Sequence, residues 1–180
     1  RSWDSSIEKR AGSALGQPKR TIAPETIGEQ VNGGSVDFLF KMTDALLAGD
    51  GGRAIPFMAD MFTRGIIDQR GKRMMNAEGL ISMALAIIAN KLGNVEAGRV
   101  ALDSGARLDD ALKAASANYG PQQRTMESLI KLWKPAALNE AHDILFETEY
   151  AIKSGGEDSR GAFERMAVRL SALALASRRL

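Results

Sequence analysis

One segment restricts the possible folds more than any other. From Leu80 to Ala89 every residue except Ser82 is apolar, and Leu80, Ile81, Ala84, Leu85, Ile88 and Leu92 recur at three- and four-residue steps. That spacing is helical, and the resulting helix is apolar on nearly every side. Such a helix needs other elements around it to shield it from water, so it predicts the central, most buried element of a helical domain. The run is about half of the ~20 residues that a membrane span requires, so no membrane partner is expected. Asn76 can cap the helix through its side-chain oxygen. Beyond Gly93 the pattern loosens, then resumes with Val95, Val100 and Leu102 before Gly105.

The segments on either side supply elements that can cover this helix. From Ser35, Val36, Leu39, Phe40, Thr43, Leu46 and Leu47 mark an amphipathic helix that Gly49 stops, because glycine enters the left-handed conformation at little cost. Asp50 can cap the next helix, which turns Ile55, Met58, Met61 and Phe62 inward and stops at Gly65. So short a connection forces the pair into a hairpin. Pro56 conflicts with a start at Gly51, since an interior proline removes a backbone hydrogen bond; a later start would remove the conflict. Ile66 to Met75 reads as a polar, basic connection containing Arg70, Lys72 and Arg73.

A short helix is predicted over Leu108 to Ala117, and Pro121 opens another with Met126, Leu129, Ile130 and Trp133. Proline suits a first helical position because the N–H it lacks has no partner there. Pro135 likewise opens a helix with Leu138, Ala141, Leu145, Thr148 and Ile152, ended by Gly155-Gly156. Asp158 or Ser159 caps a last helix striped by Phe163, Met166, Ala167, Leu170 and Leu173. No stretch alternates apolar and polar residues as a strand would. The prediction is an all-α bundle of about six to seven helices over residues 34–180. Residues 1–33, punctuated by Gly12, Gly16, Pro18, Pro24, Gly28 and Gly33, read as the tail of a preceding domain and a linker, with short helices at Ser5 to Leu15 and Pro24 to Val31. The chain begins at Arg1 rather than methionine, and a fragment of a larger cytoplasmic protein is expected.

Composition narrows the chemistry. The chain has no cysteine, which excludes disulfides, zinc ribbons and thiol nucleophiles. Its 24 basic and 22 acidic residues leave a net charge of only +2, whereas a dedicated nucleic-acid binder carries a clearer excess or a stripe. The single histidine, His142, lies near Glu140 and Asp143 with apolar Leu138 and Phe146 at helical spacing. It could act as a base or ligand, but a metal site needs further His or Cys partners, and a boundary histidine is the ordinary use. Gly49-Asp50-Gly51-Gly52-Arg53 could present a helix N-terminus to an anion, yet it lacks the Lys-Ser/Thr of a phosphate-binding loop and follows no strand. Gly93 to Gly98 and Gly155-Gly156 fail the same comparison.

Asp109-Asp110 and Glu147/Glu149 sit where solvated helix faces are expected. The eight methionines suit an adaptable core or partner surface. Arg70, Lys72, Arg73 and Arg178-Arg179 form two short basic clusters that suit solubilising loops and termini better than nucleic acid. No catalytic residue, cofactor-binding residue or metal ligand is assigned, and the pattern predicts a non-enzymatic assembly module.

Two stretches carry a resemblance. Leu138 to Leu170, with Ala151 to Gly155, Asp158 to Arg160 and Glu164-Arg165 within it, resembles the last two helices of the delta subunit of bacterial DNA polymerase III, part of the sliding-clamp loader. The hairpin Asp44-Ala45-Leu46-Leu47-Ala48-Gly49-Asp50-Gly51-Gly52-Arg53-Ala54 is similar to the Asp-Ala-Leu-Leu-Ala-Gly-Asp helix turn at the start of the same domain of that family. The resemblance implies a collar domain without a nucleotide site, which assembles with motor ATPase subunits and delta-prime. The sliding clamp and DNA would be contacted by parts of the parent protein outside this chain. Residues 1–33 would then be the tail of the family's lid domain. The competing expectations are a stand-alone helical DNA-binding or adaptor domain, and a helical part of an enzyme whose catalytic residues lie upstream.

Overall fold

A computed structural model describes residues 36–67 and 71–178. The predicted tail over residues 1–33 and its two short helices lie outside the described residues, as do Arg70 and Arg179. Among the described residues the chain forms seven helices: α1 (Asp37–Leu47), α2 (Gly51–Arg64), α3 (Ala77–Asp103), α4 (Leu108–Ala114), α5 (Gly120–Leu132), α6 (Pro135–Lys153) and α7 (Ser159–Ser177). The predicted all-α bundle is what is found, apart from one small departure. Ile66–Ile67 (β1) and Arg73–Met74 (β2) pair antiparallel, with Ile66 opposite Met74 and Ile67 opposite Arg73. Two residues per strand are too few to produce an alternation, which is why the sequence showed only a connection there.

The caps form as the residue types dictate. Asp50 Oδ1 accepts from Arg53 N at 3.1 Å, Asn76 Oδ1 from Glu78 N at 3.1 Å and Asp158 Oδ2 from Gly161 N at 2.8 Å. At the end of α1, Gly49 has φ +73°. Its N–H reaches Leu46 O at 3.0 Å while Asp50 N–H reaches Ala45 O at 2.9 Å, the paired bonds of a left-handed helix stop. The same pair of bonds closes α4 around Ser116 (φ 56°), so this helix ends at Ala114 rather than running to Ala117. Helix α2 starts at Gly51, which leaves the exposed Pro56 inside it. The structure thus keeps the conflict that a later start would have avoided.

Helix α3 is the hub and touches all six others. It runs unbroken through Gly93 and Gly98, so the looser pattern after Gly93 is no boundary. Val95 is buried and Leu102 half-buried, but Val100 is exposed. Over its 27 residues, α3 has a stretch apolar enough, at a mean hydropathy of 1.3, to cross a bilayer by length and composition. The contiguous apolar run suggested about half a span. The helix is central, as its apolar pattern predicts, but only 39% of that stretch is buried in the domain. Ser82, Ala86, Ala89, Asn90 and Gly93 form an open flank, and alanines expose too little apolar surface for this to cost much.

Around the hub, Leu39, Met42, Leu47, Met61, Leu80, Ile88, Leu92, Met126, Trp133, Phe163 and Leu170 are all essentially sealed from water. Four of the eight methionines are fully buried and three more pack against the core, so core filling is their main use here. Edge-on ring contacts tie the layers together: Phe38 to Phe57 at 4.9 Å joins α1 to α2, and Phe62 to Phe163 at 6.2 Å joins α2 to α7.

Candidate functional site

The glycines of the α1–α2 turn make it the strongest candidate in the sequence for a phosphate loop. The Asp50 carboxylate already occupies the N-terminus of α2, with one oxygen on Arg53 N and the other 4.0 Å from the Arg53 guanidinium. An incoming anion would meet that fixed negative charge. The turn has a packing role instead. A Cβ on Gly49 would lie 2.9 Å from Leu175 N, and one on Gly51 would lie 3.1 Å from Ser171 Oγ. Glycine therefore lets the hairpin sit directly on the backbone of α7. Two distant donors then satisfy the last carbonyls of α1. The Trp133 indole donates to Leu47 O at 2.9 Å, and Arg178 donates to Ala48 O at 2.5 Å.

Beside this turn an apolar groove of about 350 Å³ opens between α1, α2 and α7. Met42 and Leu46 form its floor, Ile55 and Met58 one wall, and Val168 and Leu175 the other. Ile55 and Val168 are 56% and 63% exposed. The inward placement predicted for Ile55 is therefore wrong: it sits on the rim, because α2 packs through Ala54, Met61 and Phe62 instead. The groove offers apolar surface and no titratable side chain. It can bury aliphatic or aromatic groups at roughly 1.5–3 kcal/mol for each large side chain fully enclosed. Val168 and Leu175 lie off the buried stripe of α7, so periodicity gave no signal for them.

His142 lies on the α3–α6 seam, where its Nε2 is 3.2 Å from Glu96 Oε2, both side chains being about 40% exposed. Glu140 and Asp143, its neighbours in sequence, are not its partners; Glu96 became one only through packing. No group of three or more His, Asp or Glu residues suited to a metal ion occurs among the described residues. The acidic pairs sit on solvated faces, with Asp110 bridged to Lys113 at 3.1 Å, Glu147 to Arg169 at 2.6 Å and Glu149 to Lys153 at 3.6 Å. Arg160 meets Glu164, four residues on, at 2.8 Å and lies over the Phe62 ring. Arg165 pairs with Glu157. At the end of α3 the Arg99 guanidinium bonds both oxygens of Asp103. That bonding lowers the Asp103 carboxyl below its ordinary range and raises Arg99, with the charge of Lys134 assisting at Asp103.

Of the two basic clusters, Arg73 is exposed on the ribbon and Arg178 is tied to the end of α1. A third grouping that the sequence did not suggest, Lys131 and Lys134 beside Arg178, lines a separate cleft.

No protein-family model, curated protein or solved structure matches this chain.

Proposed function

We propose that this chain is a non-catalytic helical assembly domain, the collar domain of a clamp-loader subunit of the delta type. In this reading it packs beside motor ATPase subunits and delta-prime in the cytoplasm and positions the parts of its parent protein that handle the sliding clamp and DNA.

One observation carries the reading. The two stretches with the family resemblance, Asp44 to Ala54 and Leu138 to Leu170, are remote in sequence but adjacent in space. The first forms the α1–α2 hairpin and the second forms α6 and most of α7, and the hairpin packs on α7 while α7 packs on α6. A shared domain architecture requires the motif residues to meet in one structural unit, and these do. Exposed Phe40, Ile55, Phe146, Tyr150 and Val168 supply apolar surface on several helices, which suits a subunit with more than one neighbour. Permanent contacts of this kind bury on the order of 2,000 Å² or more.

Native mass spectrometry of the chain mixed with the motor and delta-prime subunits of the same organism tests the reading. A complex with one copy of this chain is expected. If the chain stays alone while circular dichroism shows it helical, the collar assignment fails.

A further inference from the structure

At the opposite end of α1 from its N-terminus, a cleft of about 410 Å³ lies between Ala48, helix α5, the α5–α6 junction and the end of α7. Three cations from three elements line it: Lys131 from α5, Lys134 from the junction and Arg178 from the end of α7. No Asp or Glu is among its lining residues. Two of the cations are partly occupied. Lys131 Nζ lies 2.5 Å from Glu127 Oε1 on the exposed side of α5, and Arg178 donates to Ala48 O. The Lys134 ammonium has no hydrogen bond or ion pair to any described residue; its influence on the Asp103 carboxyl is purely coulombic.

These charges are not on a free loop. Trp133, between Leu132 and Lys134, is fully buried, and its indole is pinned to Leu47 O. That anchor sets both lysines on the same rim. With three cations and no carboxylate in its lining, the cleft attracts an anion, and the Lys134 ammonium is the first to be free for it. The floor is different in character: Leu129, Leu132 and Ala48 make it aliphatic.

Cationic rim and aliphatic floor together select the ligand. A nucleic-acid backbone offers phosphates and sugars along a track, and a floor without an aromatic side chain gives its bases nothing to stack on. An acidic side chain beside a bulky aliphatic one uses both parts. We propose that this cleft binds a segment of a partner protein in which Asp or Glu adjoins Leu, Ile or Val, the carboxylate meeting Lys131 and Lys134 and the aliphatic group covering Leu132 and Ala48, which are partly exposed.

The test uses the full chain and fluorescence anisotropy with a labelled peptide alternating glutamate and leucine, its glutamine counterpart, and labelled duplex DNA. The acidic peptide is expected to bind, to weaken with rising salt, and to lose about tenfold in affinity with Lys131→Gln/Lys134→Gln, about 1.4 kcal/mol. Both lysine side chains are exposed, so the helical signal of the double variant should not change. Equal binding of the glutamine peptide, or undiminished binding by the double variant, overturns the proposal. Tighter binding of duplex DNA with the same lysine dependence also overturns it and assigns the cleft to phosphate. The proposal does not rest on the collar reading: the double variant can lose the peptide while the subunit complex survives, or the reverse.

Discussion

Gly93 and Gly98 lie in the same helix but have opposite surroundings. Around Gly93 a Cβ would meet nothing within 4 Å, whereas at Gly98 it would lie 2.9 Å from Ile130 Cγ1 and 3.1 Å from Ala115 Cβ, and closer still to Ile130 Cδ1. Ile130 is itself fully buried, so its tip has no free space to enter. Alanine gains about 0.5–1 kcal/mol over glycine in a helix interior, while an extra methyl forced into a packed site costs about 1–3 kcal/mol. The first effect prevails at Gly93 and the second at Gly98. Urea denaturation should therefore show Gly93→Ala stabilising by up to about 1 kcal/mol and Gly98→Ala destabilising by about 1 kcal/mol. Stabilisation at both would mean that α3 and α5 do not approach closely at Gly98.

Among the elements, α2 breaks a local rule. Pro56 sits in its interior and denies Gly52 O a backbone donor. An interior proline costs about 3 kcal/mol relative to alanine, and its stiffening of the unfolded chain returns about 0.4–1 kcal/mol of that. The expected result for Pro56→Ala is a gain of about 2 kcal/mol, or roughly 4–8 °C in thermal midpoint for a domain of this size. A lower midpoint would show that the proline holds α2 in a shape its packing needs. Helix α3 also departs from the simplest expectation: it is the hub, yet one flank of alanines, Gly93 and Asn90 stays open. A half-buried ion pair joins it to α1, Lys91 Nζ lying 2.9 Å from Asp44 Oδ1. That oxygen has no aligned hydrogen bond, so the contact is one of charge rather than of a directed bond.

At the scale of the whole molecule, the end of the first helix is clasped by residues far along the chain. Leu47 O and Ala48 O take their donors from Trp133 and Arg178. Trp133 is fully buried and Arg178 is exposed, so the two bonds differ in worth. Loss of a buried donor leaves a carbonyl unsatisfied at about 1–3 kcal/mol, whereas an exposed cation at a helix C-terminus contributes about 0.3–1 kcal/mol. Trp133→Phe should thus lower stability by about 2 kcal/mol and Arg178→Ala by less than about 1 kcal/mol, both with a single urea transition. Equal, negligible losses would show that the clasp does not hold the hairpin.

Local chemistry determined the secondary structure of this protein. Apolar spacing, prolines at first helical positions, Asp50, Asn76 and Asp158 as caps, and the stop at Gly49 place the helices, because each signal acts within one or two turns of the chain. The tertiary structure decided what those helices present to the outside. Periodicity reports that one face of a helix is covered but not by what or how far, so it turns Ile55 inward where the structure leaves it on a rim, and it gives no sign that Val168 and Leu175 line a groove. The His142–Glu96 pair, the Trp133–Leu47 bond and the grouping of Lys131, Lys134 and Arg178 join residues remote in sequence. Such contacts depend on how the helices cross, and only their packing around α3 brings those residues together.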